Sequence, residues 1–360
     1  MRSSAPGPSM VGPWHPLHPL PATPHEPLAT QEPEIETPMS ATSAVRRDFH
    51  ATAVVGAGAV GSFFGAMLAR AGHPVTLIGR APHVQAITRR GLQLHRDGRV
   101  ETVRLAASAE LAAVRGADLV LFCVKSPDTE AVAREIAPLL DADALVLSLQ
   151  NGVDNAPAMA RQIRQTVVPA VVYVATAMPE PGVVQHFGRG DLVIGPLDAA
   201  DAQDAVHRQR LQAVAELFAI AQVPVRISPD VMDELWSKLM VNCAYNAISG
   251  LAQSPYGRMA ALPAIREVQH AVVREVVALA QAEGRRLPLD EALAAMERIA
   301  SAMPAQLSST AQDMARGKPS EIDHLNGYVA RRGAELGIAT PVNQALWALV
   351  KLVEAGRAAA

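Results

Sequence analysis

The chain has 360 residues, 49% hydrophobic and 4% aromatic, with Lys+Arg 32 against Asp+Glu 35 and a formal charge of -3. That is apolar material for one large or two ordinary domains, and it excludes a disordered or fibrous protein. The lack of a basic excess excludes nucleic acid and an anionic membrane surface as first guesses, and no apolar run reaches the roughly 18 residues of a spanning helix.

Residues 1–48 hold ten of the 27 prolines before residue 40 and no continuous apolar segment, so they are expected to form a disordered extension rather than a secretory signal. From residue 50 the punctuation turns regular. "ATAVVGAG" reads as a strand ending in glycines, "VGSFFGAMLARAG" as a helix closed by Gly72, and "HPVTLIGR" as a second strand, together a βαβ unit. "LQLHRDGRVETVRL" predicts a hairpin turning at Asp97-Gly98. "ADLVLFCVK", "DALVLSLQNG" and "TVVPAVVYVAT" predict strands so continuously apolar that the sheet must be covered on both faces. "GVVQHFGRGDLVIG" reads as one more hairpin and "PVRISPD" as a last strand, after which only amphipathic helical stretches remain. The expected architecture is an α/β doubly wound dinucleotide-binding domain over 49–228 followed by an all-helical domain over 229–360. Two cysteines, Cys123 and Cys243, form no C-x-x-C or metal-ligand pair, which fits a reducing cytoplasm and a protein without a structural metal.

"GAGAVG", spanning Gly56, Ala57, Gly58, Ala59, Val60 and Gly61, satisfies G-x-G-x-x-G between a strand and a helix. The first glycine permits the turn, the second lets the main chain approach a pyrophosphate, and the third packs helix on strand. Where an NAD site places an acidic residue, at the end of the second strand, this chain has Gly79 and Arg80. A guanidinium suits a 2′-phosphate and cannot accept from a ribose hydroxyl, so NADP(H) is expected. Lys125 ends another strand, at the edge where ligands of open α/β sheets collect; a merely exposed lysine would look the same.

The stretch "LWSKLMVNCAYNAISGL" is a buried helix with a polar stripe. Lys238, Asn242 and Asn246 recur every fourth residue and share one face. An unpaired buried polar group costs about 1 to 3 kcal/mol, so either other parts of the chain or a ligand must satisfy the stripe. Asn151-Gly152 follows a strand as a common turn former, and "SSTAQDMARGKPSEIDHLNG" clusters Ser309, Asp313, Glu321, Asp323 and Asn326, as a solvated helix connection also could.

Taken together these residues resemble the ketopantoate reductase (2-dehydropantoate 2-reductase) family from about residue 51 to 355. "ELWSKLMVNCAYN" is similar to its E-L-W-x-K-L-x-x-N-x-x-x-N signature, and "SSTAQDMARGKPSEIDHLNG" to its S-S-M-x-Q-D…T-E-I-D-x-x-N-G segment. The resemblance implies reduction of 2-dehydropantoate to pantoate, a step of pantothenate biosynthesis, with Lys238 as general acid and Glu321 beside cofactor and substrate. It further implies substrate contacts at Asn242, Asn246 and Ser309, cofactor contacts at Asn151 and Ala177, and a 2′-phosphate held by Arg80 and Lys125. Two positions depart from the family pattern: Gln306 and Tyr256 stand where many members carry Asn, near the expected substrate site, so Tyr256 is a further candidate substrate contact. Burial and cationic neighbours would lower the Lys238 pKa while Glu321 would oppose them, which leaves the net direction open. A paralogous reductase of another 2-keto acid and a non-catalytic NADP(H) sensor stay open as alternatives, and a homodimer is the expected assembly.

Overall fold

The computed structural model describes residues 49–358, so the extension expected over 1–48 lies outside the described residues. Strand β1 (Thr52–Val55), helix α1 (Ala59–Arg70) and strand β2 (Val75–Ile78) form the expected βαβ unit, with β1 and β2 parallel. Helix α1 lies flat on the sheet because its apolar side chains, Phe63, Phe64, Met67 and Leu68, face inward together. Gly65 permits that approach, since a Cβ there would stand 2.8 Å from Leu77 Cδ2. Helix α2 (Ala81–Arg90) leads to the hairpin of β3 (Leu92–Arg96) and β4 (Arg99–Val103). Its turn residues Asp97 and Gly98 have φ of 51° and 71°, the left-handed pair that a tight hairpin demands.

After β5 (Ala106–Ser108) come β6 (Leu119–Phe122), α3 (Thr129–Ile136), β7 (Leu145–Ser148), α4 (Asn155–Ala160) and two long strands, β8 (Thr166–Ala177) and β9 (Val183–Ile194). Helices α5 (Ala199–Gln203) and α6 (Ala205–Ile220) then return the chain to β10 (Val225–Ile227). The sheet order is β4-β3-β9-β8-β7-β6-β1-β2-β5, with β10 also on β9. From β5 to β8 all neighbours are parallel; β8 and β9 are antiparallel. Every residue of β1, β6 and β7 is buried, which is why those strands read as unbroken apolar runs.

One expectation is corrected. "GVVQHFGRGDLVIG" is a single strand, β9, paired along β8 with register shifts between Tyr173 and Val174 and between Ala175 and Thr176. Gly188, Arg189 and Gly190 take φ of 145°, 55° and 140°, so its glycines serve bulges rather than a turn. Both features need left-handed residues, and the sequence alone does not tell them apart.

The rest is helical: α7 (Val231–Ala252), α8 (Tyr256–Ala260), α9 (Pro263–Ala282), α10 (Leu289–Ala302), α11 (Ser309–Ala315), α12 (Asn326–Leu336) and α13 (Pro341–Ala358). Helix α7 is its axis. Asp233 and Glu234 in the first turn suit the positive end of the helix dipole, and Gln253 ends it in a left-handed conformation. Leu235, Trp236, Leu239, Met240 and Cys243 pack in one core with Val272, Val273 and Val276 of α9, each large side chain contributing about 1.5 to 3 kcal/mol on burial. No helix among the described residues is long and apolar enough to cross a membrane.

Candidate active site

At the glycine loop the three glycines differ in what surrounds them. A Cβ on Gly56, where φ is 110°, would lie 2.6 Å from the Cys123 carbonyl carbon, and one on Gly61 would lie 2.3 Å from the Gly56 carbonyl oxygen. At Gly58 a Cβ would meet nothing within 4 Å. Gly58 caps α1 without a side chain, and no acidic residue stands in the first turn, so the first N–H groups of the helix face open space with a favourable dipole. These residues fit an anionic dinucleotide.

The polar stripe of α7 meets the sheet at Lys238. Lys238 is half-buried and its Nζ donates to the Val172 carbonyl of β8 at 2.5 Å. Burial pushes its pKa down to about 8, the Arg189 charge pushes the same way, and Glu321 opposes both without reversing them. The direction left open by the sequence is therefore downward. Asn246 is 3% exposed and Asn242 half-buried, and neither carboxamide hydrogen-bonds to another described residue. Among the described residues the stripe is thus satisfied at its lysine and not at its two carboxamides.

Glu321 joins the two layers. Its Oε1 accepts from Ser126 N (3.0 Å) and Ser126 Oγ (2.8 Å), at the start of the segment after β6. Lys125 Nζ lies 3.0 Å from Asp313 Oδ2 and 3.5 Å from Glu321 Oε2. Burial alone would raise the Glu321 pKa, but the Lys125 charge and the Ser126 hydrogen bonds outweigh it and hold the group below the usual carboxylate range. Asn155 Nδ2 donates to Ser126 Oγ and to the Asn151 carbonyl, and His324 Nδ1 lies 2.9 Å from Asp154 Oδ2, a second tie between the layers. Gly56 abuts Cys123, Ser126 follows three residues on, and the Glu321 that it binds acts on the Lys238 charge. A chain of neighbours thus runs from the glycine loop through Ser126 and Glu321 to the Lys238 amine.

The remaining candidates are placed as follows. Arg80 is exposed at the start of α2, whereas Lys125 is engaged by the two carboxylates of the helical layer rather than standing beside it. Asn151 lies half-buried after β7, and Ala177 closes β8, 6% exposed. Ser309 is exposed at the first position of α11. Its neighbour Ser308, buried, accepts from Ala311 N at 3.0 Å and donates to the Asn246 carbonyl at 3.3 Å. Tyr256 packs in the helical core, its ring 4.5 Å from that of Tyr245, and its N–H donates to the Gln306 carbonyl at 3.0 Å. Of the polar cluster in the C-terminal segment, Asn326 belongs to the core, donating to the Cys243 carbonyl and to Asn343 Oδ1, and Asp323 accepts from Trp347 and Lys351. Sequence reasoning missed Ser126, Tyr173 and Arg189; for Arg189 the available signal was its place between two glycines.

Two family models match the chain: Ketopantoate reductase PanE/ApbA over residues 52–199 and Ketopantoate reductase PanE/ApbA C terminal over residues 230–354. A 2-dehydropantoate 2-reductase of Halobacterium salinarum is 33% identical over 305 residues, covering 84% of this chain and 98% of that protein. Among solved structures, a PanE/ApbA family ketopantoate reductase from Ralstonia eutropha JMP134 has TM-score 0.79 and 51% identity, covering 85% of this chain and 99% of its own. A D-mandelate dehydrogenase with NADH and anilino(oxo)acetate superposes at TM-score 0.79 with 25% identity, over 85% and 99% of the two chains.

Proposed function

The chain belongs to the Ketopantoate reductase PanE/ApbA family, and from that premise we propose that it reduces 2-dehydropantoate to pantoate with NADPH, a step of pantothenate biosynthesis. On this reading residues 49–228 hold the dinucleotide and residues 229–360 supply the substrate contacts. The observation that carries it is the half-buried ammonium of Lys238, held on β8 by the Val172 carbonyl with its pKa lowered to about 8.

A bound reduced nicotinamide supplies the hydride that a keto carbon accepts. The rest falls to the chain. As negative charge develops on the keto oxygen, the Lys238 ammonium stabilises it and gives up its proton, and the Val172 carbonyl fixes the direction of that ammonium. The Asn242 and Asn246 carboxamides, without hydrogen-bond partners among the described residues, offer donors and acceptors to the hydroxyl and carboxylate of a small acid, with Ser309 at the rim. Glu321 keeps Lys238 from losing its proton before substrate arrives, and through Ser126 it ties the helical layer to the cofactor side. Glycines 56, 58 and 61, with Ala57, Ala59 and Val60 between them, cradle the pyrophosphate; Asn151 and Ala177 border the nicotinamide, and Lys125 the phosphates once its carboxylate partners are displaced.

The test is consumption of NADPH with a panel of 2-keto acids. Preference for 2-dehydropantoate is expected. The second reading, a reductase of a bulkier keto acid, draws on Tyr256 and on the equal TM-score of the mandelate enzyme, and preference for an aryl keto acid selects it. Tight NADPH binding with no turnover on any acid would leave only a sensor. Arg80→Ala should lower kcat/KM with NADPH by about tenfold or more and leave NADH use nearly unchanged, because a charge-assisted phosphate contact is worth about 1.5 to 3 kcal/mol. Equal losses with both cofactors would refute the 2′-phosphate role. A homodimer is part of the same reading, with Leu349 and Leu352 of α13 as exposed apolar surface for it.

A further inference from the structure

The bulge of β9 lies beside the amine. Arg189 adopts φ 55°, a conformation that a long side chain keeps only when its surroundings enforce it. Here they do. The His186 ring stacks on Phe63 of α1 at 4.6 Å and 12°, and its Nε2 donates to the Arg189 carbonyl at 2.5 Å. A Cβ on Gly190 would fall 3.1 Å from Phe63 Cζ, so the neighbouring position admits only glycine without displacement. The guanidinium is held 4.1 Å over the Tyr173 ring and clamped by Asp191 through two hydrogen bonds of 3.0 and 2.7 Å. Lys238 Nζ lies 5.7 Å from the centroid of the same ring.

We propose that Arg189 is a positioning residue for proton transfer, a fixed positive charge that shares Tyr173 with Lys238 and favours departure of the lysine proton toward the forming alkoxide. The inference rests on Lys238 as the proton donor. Two like charges around one half-buried ring repel, and loss of the lysine proton relieves that repulsion when the keto oxygen becomes basic. The charges acting on Lys238 itself are Arg189 and, from the segment after α11, Glu321; the Tyr173 phenol that it shares with Arg189 is faced in addition by Asp191 of β9, Glu234 on α7 and Arg226 of β10. Glu234 and Arg226 neutralise each other through a two-bonded pair at 3.0 and 2.5 Å. Asp191 attenuates Arg189 through its two hydrogen bonds without cancelling it, and the Arg189 charge still pushes the Lys238 pKa down. That leaves Arg189 and Glu321 pulling in opposite directions.

The chain's only lysines are Lys125, Lys238, Lys318 and Lys351, so titration of [6-13C]lysine in the full chain can be read residue by residue. The resonance absent from Lys238→Ala should titrate near pH 8, matching the alkaline limb of kcat/KM. Arg189→Gln should raise both the resonance midpoint and the limb by about 0.5 to 1 pH unit, Asp191→Asn should lower both, and Arg189→Lys should restore them. An unmoved midpoint in Arg189→Gln, or a raised KM with the limb in place, overturns the proposal. A Lys238→Ala enzyme of undiminished turnover instead removes the proton donor on which it rests, while the titration still reports the Arg189 effect by itself.

Discussion

Lys238→Ala is expected to lower turnover by about 10²- to 10⁴-fold while leaving dinucleotide binding and the melting temperature close to those of the parent chain. The side chain contributes one hydrogen bond, to the Val172 carbonyl, worth about 1 kcal/mol net, and the desolvation that lowers its pKa is itself a cost of folding that the alanine removes. Folding therefore loses little, and chemistry loses its acid. The pH dependence follows from the sign of the shift. Only the protonated amine can serve reduction, so the reductive rate should be flat below about 8 and fall tenfold per unit above it. Oxidation of the hydroxy acid needs the neutral amine and should rise through the same pH. Lys238→Arg restores the charge but not the acidity, since a guanidinium keeps its proton at any working pH, and it should stay nearly as slow as the alanine variant. Turnover of Lys238→Ala equal to the parent, or an alkaline limb that persists without the lysine, would show that the proton comes from elsewhere.

How far the sequence reaches depends on the separation of the interacting residues. The βαβ unit was legible because each part is local: a β-branched run, glycines between strand and helix, and apolar spacing that keeps Phe63, Phe64 and Met67 on one face. The Asp97-Gly98 turn and the stripe of Lys238, Asn242 and Asn246 were legible for the same reason. Glu321 could be singled out by resemblance, but not what it does: its partner Ser126 is 195 residues away, and nothing in either neighbourhood specifies the other. Arg189 escaped notice because a Gly-Arg-Gly run signals left-handed backbone without saying whether a turn or a bulge uses it, and only the pairing of β9 along β8 decides. For Tyr256 the sequence gives a place beside the expected substrate contacts, but not the Tyr245 ring that it packs on, because the two residues meet only through the helical fold.

Gly58→Ala and Gly56→Ala separate a ligand cradle from a mere turn. At Gly56 a side chain meets two obstacles: φ of 110° lies outside the range of L residues, and the added carbon would stand 2.6 Å from main-chain Cys123, which cannot yield as a side-chain tip can. Backbone strain of this kind costs about 1 to 3 kcal/mol before the clash is counted, so the melting temperature should fall by several degrees. At Gly58 neither obstacle exists, since φ is -80° and no atom lies within 4 Å of the new carbon. Alanine there should therefore leave melting within about 3 °C of the parent, the small loss coming from its poorer helix-capping propensity. Its methyl would nevertheless occupy the space through which a pyrophosphate reaches the N–H groups of α1, and affinity for the reduced dinucleotide, followed by quenching of its fluorescence or by calorimetry, should weaken at least tenfold, about 1.4 kcal/mol. A stable Gly58→Ala chain with unchanged affinity would mean that the glycine loop serves only to turn the chain, because an empty space in front of a helix terminus matters to binding only if a ligand must fill it.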